Sequence, residues 1–272
     1  MGRRRKGDEQ VAEVDDLDAP PARRPSKFNQ VVTFAGETLL AILVTLVITA
    51  LLRVFVFQVF QVPSGSMEET LELKDRIVAM RVSDFERGDI VVFEDPDAMW
   101  MGVQPASTNP VREVLEALYL LPDSSQGYLV KRVIGMPGDH VACCDQQGRV
   151  TINDVAIDES SYLYKDASGL SVAPSDTAFD VIVPADRIFV LGDHRDRSGD
   201  SRLHMCEATH NGVPAGMYGF IPIGNVVGPV VAVVAPLNRI TTFSVPQTFA
   251  GVPDAVDDPP AAPVLGEGSC GG

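Results

Sequence analysis

Tyr128-Leu129-Val130-Lys131-Arg132-Val133-Ile134-Gly135-Met136-Pro137-Gly138-Asp139 is a β-rich run closed by a Pro-Gly-Asp turn. Successive side chains of a strand point to opposite faces. Lys131 therefore shares a face with Leu129 and Val133, and Arg132 shares the other with Val130 and Ile134. An inward Lys131 would sit among apolar neighbours. Burial penalises the charged form of a lysine, so such an amine can be neutral near pH 7 and act as a base. The same pattern also fits a lysine on an edge strand or the surface, and the run alone leaves both readings open.

Similar runs surround it. Asp89-Ile90-Val91-Val92-Phe93, Arg149-Val150-Thr151-Ile152, Asp180-Val181-Ile182-Val183 and Arg187-Ile188-Phe189-Val190-Leu191 are short and rich in β-branched and aromatic residues. Arg87-Gly88-Asp89 and Gln147-Gly148-Arg149 punctuate them as turns. From Arg76 onward the chain reads as a β-rich domain with many turns. Pro110 to Leu121 is an exception, because Val111, Val114, Leu115 and Leu118 keep helical spacing. Trp100, between Met99 and Met101, fits either packing onto the β domain or contact with a membrane surface. Val230 to Ala235 is too short to span a membrane. Residues 251–272, rich in Pro, Ala, Gly and Asp, are expected to form a flexible C-terminal tail.

Before the β domain lies a different kind of sequence. Residues 1–33 are expected as a disordered cytoplasmic tail, with few large apolar groups to offset chain entropy. Residues 34–60 are expected as a transmembrane helix. Its charge-free part, Thr38 to Leu52, would span about 22 Å, short of a hydrocarbon core of about 30 Å. Val54 to Phe57 extends it if Arg53 reaches the head groups. A buried core helix would suit the short length. A cleaved signal peptide would suit Ser64-x-Ser66, but the charged leader is long for one. Arg3 to Lys6, Arg23, Arg24 and Lys27 precede the helix and favour a cytoplasmic N-terminus; Lys74 and Arg76 on the other side make that bias modest.

Composition narrows the function. Hydrophobic residues make up 45% of the chain, ample for a core. A net charge of −15 argues against nucleic acid, whose phosphates need clustered Lys and Arg. The acidic excess lies entirely beyond Glu37, and solubility is its plainest meaning. Four cysteines are too few for a disulfide scaffold.

Two further motifs carry candidate chemistry. Pro63-Ser64-Gly65-Ser66-Met67 follows the helix and offers Ser66, a weak nucleophile until a base takes its proton. By itself it is an ordinary loop sequence. Gly192-Asp193-His194-Arg195-Asp196-Arg197-Ser198-Gly199-Asp200-Ser201-Arg202 reads either as a solvated turn with surface ion pairs or as a scaffold offering Ser198 to a catalytic amine. His194 also permits a Ser-His-Asp reading, but the lysine motif already supplies a base. His204, Cys206 and His210 match no closed zinc pattern, and Cys143-Cys144 is adjacent rather than Cys-x-x-Cys, so no metal is expected.

The ordered set resembles bacterial type I signal peptidase, a membrane-anchored Ser/Lys protease. The resemblance runs from the helix to about Val234 and rests on Ser64-Gly65-Ser66-Met67, Arg87-Gly88-Asp89-Ile90-Val91-Val92-Phe93, the lysine motif and the third motif, in that order. Related Ser/Lys autoproteases of the repressor type lack the membrane helix and the full third motif. The resemblance implies a mainly β fold: an antiparallel β-rich catalytic domain over 61–250 with a smaller β insertion, preceded by one N-terminal transmembrane helix. It implies Ser66 as nucleophile and Lys131 as general base. Ser64 would supply a hydroxyl to the oxyanion hole beside the Ser66 N–H. Ser198 would orient the lysine amine, and Asp200 and Arg202 would support the site. Substrates would be secretory preproteins with small residues at −1 and −3, cleaved on the outer face of the cell membrane. No cofactor is implied; membrane lipid is the other expected partner, and the enzyme would act as a monomer. Glu69 departs from the family, where Pro is common; His194 and Arg197 stand where Asn is frequent, and residues 96–126 form an extra connection. An extracytoplasmic domain permits a disulfide, expected from Cys206 to Cys143 or Cys144, with Cys270 free.

Overall fold

The computed structural model describes residues 27–102, 109, 127–207, 212–255 and 258–270. Two compact units divide the chain, one through Val47 and one from Ile48. The helix expected at Pro110–Leu121 and most of the leader lie outside the described residues, as does His210.

Helix α1 covers Lys27–Phe55. It starts earlier than residue 34 and ends before residue 60, correcting both expected bounds. The physical reason for the early end is strand pairing. Strand β1 (Phe57–Gln61) pairs antiparallel with β2 (Arg76–Met80), setting Phe57 opposite Met80 and Phe60 opposite Ile77. Phe60 and Ile77 are buried in one apolar cluster with Met67 and Leu71. Residues read as the end of a span are thus spent on the β domain. Along α1, Phe34, Leu39, Leu40, Leu43 and Leu46 are all exposed. Among the described residues no helix is long and apolar enough to cross a membrane.

From Ile48 onward the chain is mainly antiparallel β, as the short runs and turns suggested. Further strands are β3 (Ile90–Glu94), β4 (Tyr128–Gly135), β5 (His140–Cys143), β6 (Val150–Ile152), β7 (Val155–Ala156), β8 (Phe179–Ile182), β9 (Arg187–Leu191), β10 (Ile221–Pro222), β11 (Val226–Ala235), β12 (Thr241–Thr242) and β13 (Val264–Leu265). The larger sheet runs β1-β2-β11-β3-β4-β9-β10, with β12 added to β11. The smaller runs β13-β8-β5-β6-β7. Val230 to Ala235 belongs to β11, which holds β2 on one side and β3 on the other. The Met136–Asp139 turn connects the two sheets. The Asp139 carboxylate accepts the Met136 N–H at 2.8 Å and an Asn153 side-chain N–H at 2.8 Å, and it pairs with Arg87.

Strand β4 lies inside the larger sheet between β3 and β9, and side chains alternate from Leu129 to Val133, before a register shift against β9 at Val133–Gly135. Leu129 and Val133 join an apolar cluster with Val91, the cross-strand neighbour of Lys131. Val130 and Ile134 belong to two other clusters. Trp100 packs on the β domain: it meets Phe93 edge-on, stacks on His204 and donates its ring N–H to the Tyr218 carbonyl at 2.9 Å.

The disulfide expectation is corrected. Cys206 bonds to Cys270, and Cys143 to Cys144. Residues 251–270 are not a loose end throughout. Strand β13 pairs with β8, and the Ser269 hydroxyl binds both the N–H and C=O of Asp180. That docking delivers Cys270 to within 5.1 Å of Cys206, Cα to Cα.

Candidate active site

Ser66 lies in a tight turn after β1, and Lys131 lies on β4. The turn is built by Gly65 C=O accepting from the Glu68 N–H at 3.1 Å, and Met67 C=O accepting from Thr70 and Leu71. Met67 and Leu71 anchor it by burial at 1% and 0% exposure. A Cβ at Gly65 would meet the Glu68 carboxylate 2.5 Å away, so a larger residue here would displace that side chain. Glu69 takes a φ of 79°. A proline ring fixes φ near −65°, so this turn has a shape that Pro could not adopt.

The Lys131 amine donates to the Ser66 hydroxyl at 2.7 Å and lies 3.3 Å from the Val130 carbonyl. Both side chains are buried, Lys131 at 2% exposure and Ser66 at 6%. Burial lowers the Lys131 amine from the ordinary 10.5 to about 8, opposed by the negative charges of Asp200 and Asp193. A serine next to a readily deprotonated amine is an activated nucleophile. The Ser64 hydroxyl is 3.3 Å from that of Ser66 and faces solvent. Among the described residues no acceptor engages the Ser66 N–H.

The third motif wraps this pair. The His194 N–H donates to the Ser66 carbonyl at 3.0 Å. Asp193 is buried and receives both arms of the Arg132 guanidinium, at 2.9 and 2.6 Å, with the Thr70 hydroxyl at 2.6 Å. Burial works against the charge of Arg132, but Asp193 outweighs it and the guanidinium stays protonated. Arg132 also donates to Gly88 C=O and lies over the Tyr162 ring. This hub ties the serine turn, β4 and the third motif together. Sequence reading missed the Arg132–Asp193 pair, because its two members lie 61 residues apart and only strand pairing brings them together.

Asp200 caps the helical turn Ser201–His204 and accepts from the Arg202 backbone N–H, its guanidinium and the Gly192 N–H. Burial tends to raise its carboxyl, but Arg202 and the Gly192 N–H outweigh that and hold it below the ordinary value. Arg202 passes on to the Arg195 carbonyl at 2.7 Å. Asp200 and Arg202 thus fix the loop that carries His194 and Ser198. The Ser198 hydroxyl is buried close enough to Asp200 to help hold its carboxyl low, but it makes no hydrogen bond of ordinary geometry. It packs against Gly192, where any Cβ would collide with it and with the Ser66 carbonyl.

His194 is not placed as a base. Its ring Nδ1 lies 3.2 Å from Gly65 O and 2.9 Å from Glu68, its Nε2 lies 3.2 Å from Asp196, and its face stacks on Tyr164. His204 is held by Trp100 and Glu207, and Cys206 by its disulfide.

Residues 35–235 match the family described as signal peptidase, peptidase S26. The chain is 31% identical over 258 residues to "Signal peptidase I" of Mycobacterium tuberculosis (strain ATCC 25618 / H37Rv), covering 86% of this chain and 80% of that protein. It is 30% identical over 203 residues to "Probable signal peptidase I-2" of Synechocystis sp., covering 73% and 72%. It is 28% identical over 235 residues to "Signal peptidase I" of Leptolyngbya laminosa, covering 85% and 94%.

Proposed function

The chain belongs to the signal peptidase family, peptidase S26, and is a serine peptidase; on that footing we propose that it removes signal peptides from exported preproteins with a Ser66/Lys131 dyad. The observation that carries the dyad is the 2.7 Å contact between two buried groups, one of them an amine lowered to about 8. Near pH 7.4 roughly a fifth of such an amine is neutral, against about one part in a thousand for a free lysine.

Neutral Lys131 takes the Ser66 proton as the oxygen attacks the scissile carbonyl. The negative charge that develops on the carbonyl oxygen is met by the Ser66 N–H and the Ser64 hydroxyl. The Lys131 ammonium then gives its proton to the leaving amine. An acyl group remains on Ser66, and water activated by the same amine releases it. Asp200 and Arg202 support the site by fixing the third-motif loop. Ser198, its hydroxyl buried behind Ser66 against Gly192, would orient the Lys131 amine through that hydroxyl. Small residues at −1 and −3 fit shallow apolar pockets flanking the motifs, with the substrate added as an extended strand.

Helix α1 would anchor the enzyme in the cell membrane, N-terminus inside and the β domain outside, although no helix of the described residues is by itself long and apolar enough to cross one. Its exposed apolar residues support this, because such a surface needs lipid to cover it. At 29 residues α1 is about 43 Å long, and charges beyond its charge-free stretch can reach the head groups. The domain limits follow: an inner tail, the anchor, the peptidase and a C-terminal segment.

The test is preprotein processing by wild type, Ser66→Ala and Lys131→Ala. Both variants should be inactive, and normal processing by either would overturn the dyad.

A further inference from the structure

His194 touches both peptide units of Ser66, and on the Gly65 carbonyl it adds to the turn bond from the Glu68 N–H at 3.1 Å. The His194 N–H donates to the Ser66 carbonyl at 3.0 Å, and His194 Nδ1 stands 3.2 Å from the Gly65 carbonyl. The Gly65 carbonyl and the Ser66 N–H belong to the same planar trans peptide, so they point in opposite directions. Fixing the carbonyl on one side fixes the aim of the N–H on the other. That N–H has no acceptor among the described residues, and it is the donor assigned above to the developing oxyanion.

We infer that His194 is a positioning residue: its Nδ1–H grips the Gly65 carbonyl and thereby aims the Ser66 N–H at the substrate carbonyl. The inference rests on the Ser66/Lys131 reading. The ring is held for this task. Tyr164 stacks on it with centroids 3.8 Å apart, and it is buried at 2% exposure. The Glu68 carboxylate, 2.9 Å from Nδ1, calls for a proton on that nitrogen, and it is closer and less exposed than Asp196, 3.2 Å from Nε2. The same N–H is then shared between Glu68 and Gly65. Gly65 allows this closeness, since a Cβ would push the Glu68 carboxylate away. Any substitution at 194 other than Pro keeps the backbone N–H that binds Ser66, and a side chain without a donor loses the Gly65 contact together with those to Glu68 and Asp196.

An asparagine carries an N–H donor two bonds beyond Cβ, as Nδ1 is in histidine, whereas leucine has nearly the same size and no donor. Phenylalanine keeps the stack on Tyr164 and lacks the donor. The full chain is assayed with a peptide carrying Ala at −1 and −3, with melting temperature recorded in parallel. His194→Leu and His194→Phe should lower kcat by about 100-fold with KM nearly unchanged, because an aimed donor acts in the transition state. His194→Asn should recover most of that loss. A peptide aldehyde, whose adduct with Ser66 places an oxygen where the oxyanion forms, should weaken in step with kcat. Equal activity of the Asn and Leu variants, or wild-type kcat in the Phe variant, would overturn the inference. A purely structural ring would instead make Phe the mildest change. Should Phe fail to fold, the Asn and Leu pair still decides. Residual activity in Ser66→Ala would fault the dyad itself, a result separate from any of these.

Discussion

Replacing Lys131 by Met should abolish processing and yet stabilise the protein. In the fold Lys131 is buried at 2% exposure with its amine lowered from 10.5 to about 8. That gap corresponds to about 3 kcal/mol of penalty for carrying the buried ammonium below pH 8. Methionine removes the charge, keeps an unbranched apolar stem and gives up the contact with Ser66, worth about 1 kcal/mol. The net gain at pH 7 is about 2 kcal/mol, or roughly 4–8 °C in melting temperature. Its pH dependence is the sharper readout. Below pH 8 folded and unfolded chains are both protonated at this site, so the penalty is complete. Between about 8 and 10.5 the unfolded chain binds more protons than the folded one, so wild-type stability rises with pH. Above 10.5 the penalty is gone. Thermal melts of the detergent-solubilised full chain, wild type against Lys131→Met, from pH 7 to 10.5 measure this. The gap should close as pH rises. A variant that melts below wild type at pH 7, or a gap unchanged up to pH 10.5, would refute the reasoning.

Activity should follow the same group in the opposite sense of use: kcat/KM should rise about 10-fold per pH unit below pH 8 and level off above it, and a flat profile from pH 6 to 8 would exclude Lys131 as the base. Gly192→Ala should lose activity, because its Cβ would press on Ser198 and on the Ser66 carbonyl; assay and melting measured together should both fall. Breaking Cys206–Cys270, 64 residues apart in sequence, should cost about 4 kcal/mol, read as a lower melting temperature in Cys206→Ser measured without reductant, which leaves Cys143–Cys144 intact.

The strands around Lys131 were legible in the chain, because period-two alternation and Gly/Pro turns act over a few residues. Leu129 and Val133 do face the cluster that holds Val91, as alternation required. The motifs also named the family. The end of α1 was not legible: Phe57 to Gln61 is apolar enough to prolong a helix, and only pairing with β2 makes it a strand. Nor could spacing choose the partner of Cys206, since docking of β13 on β8 brings Cys270 there.

Sequence by itself determined the residue types that Ser/Lys chemistry needs, their order and the β character of the domain, because those follow from side-chain chemistry and local periodicity. Only the tertiary structure decided that Ser66 and Lys131, 65 residues apart, meet at 2.7 Å, and that Arg132, Asp193 and His194 clamp the serine turn. Such contacts depend on which strands become neighbours across the sheet. The burial that lowers the Lys131 amine likewise comes from many distant segments packing at once, and no short stretch of the chain specifies it.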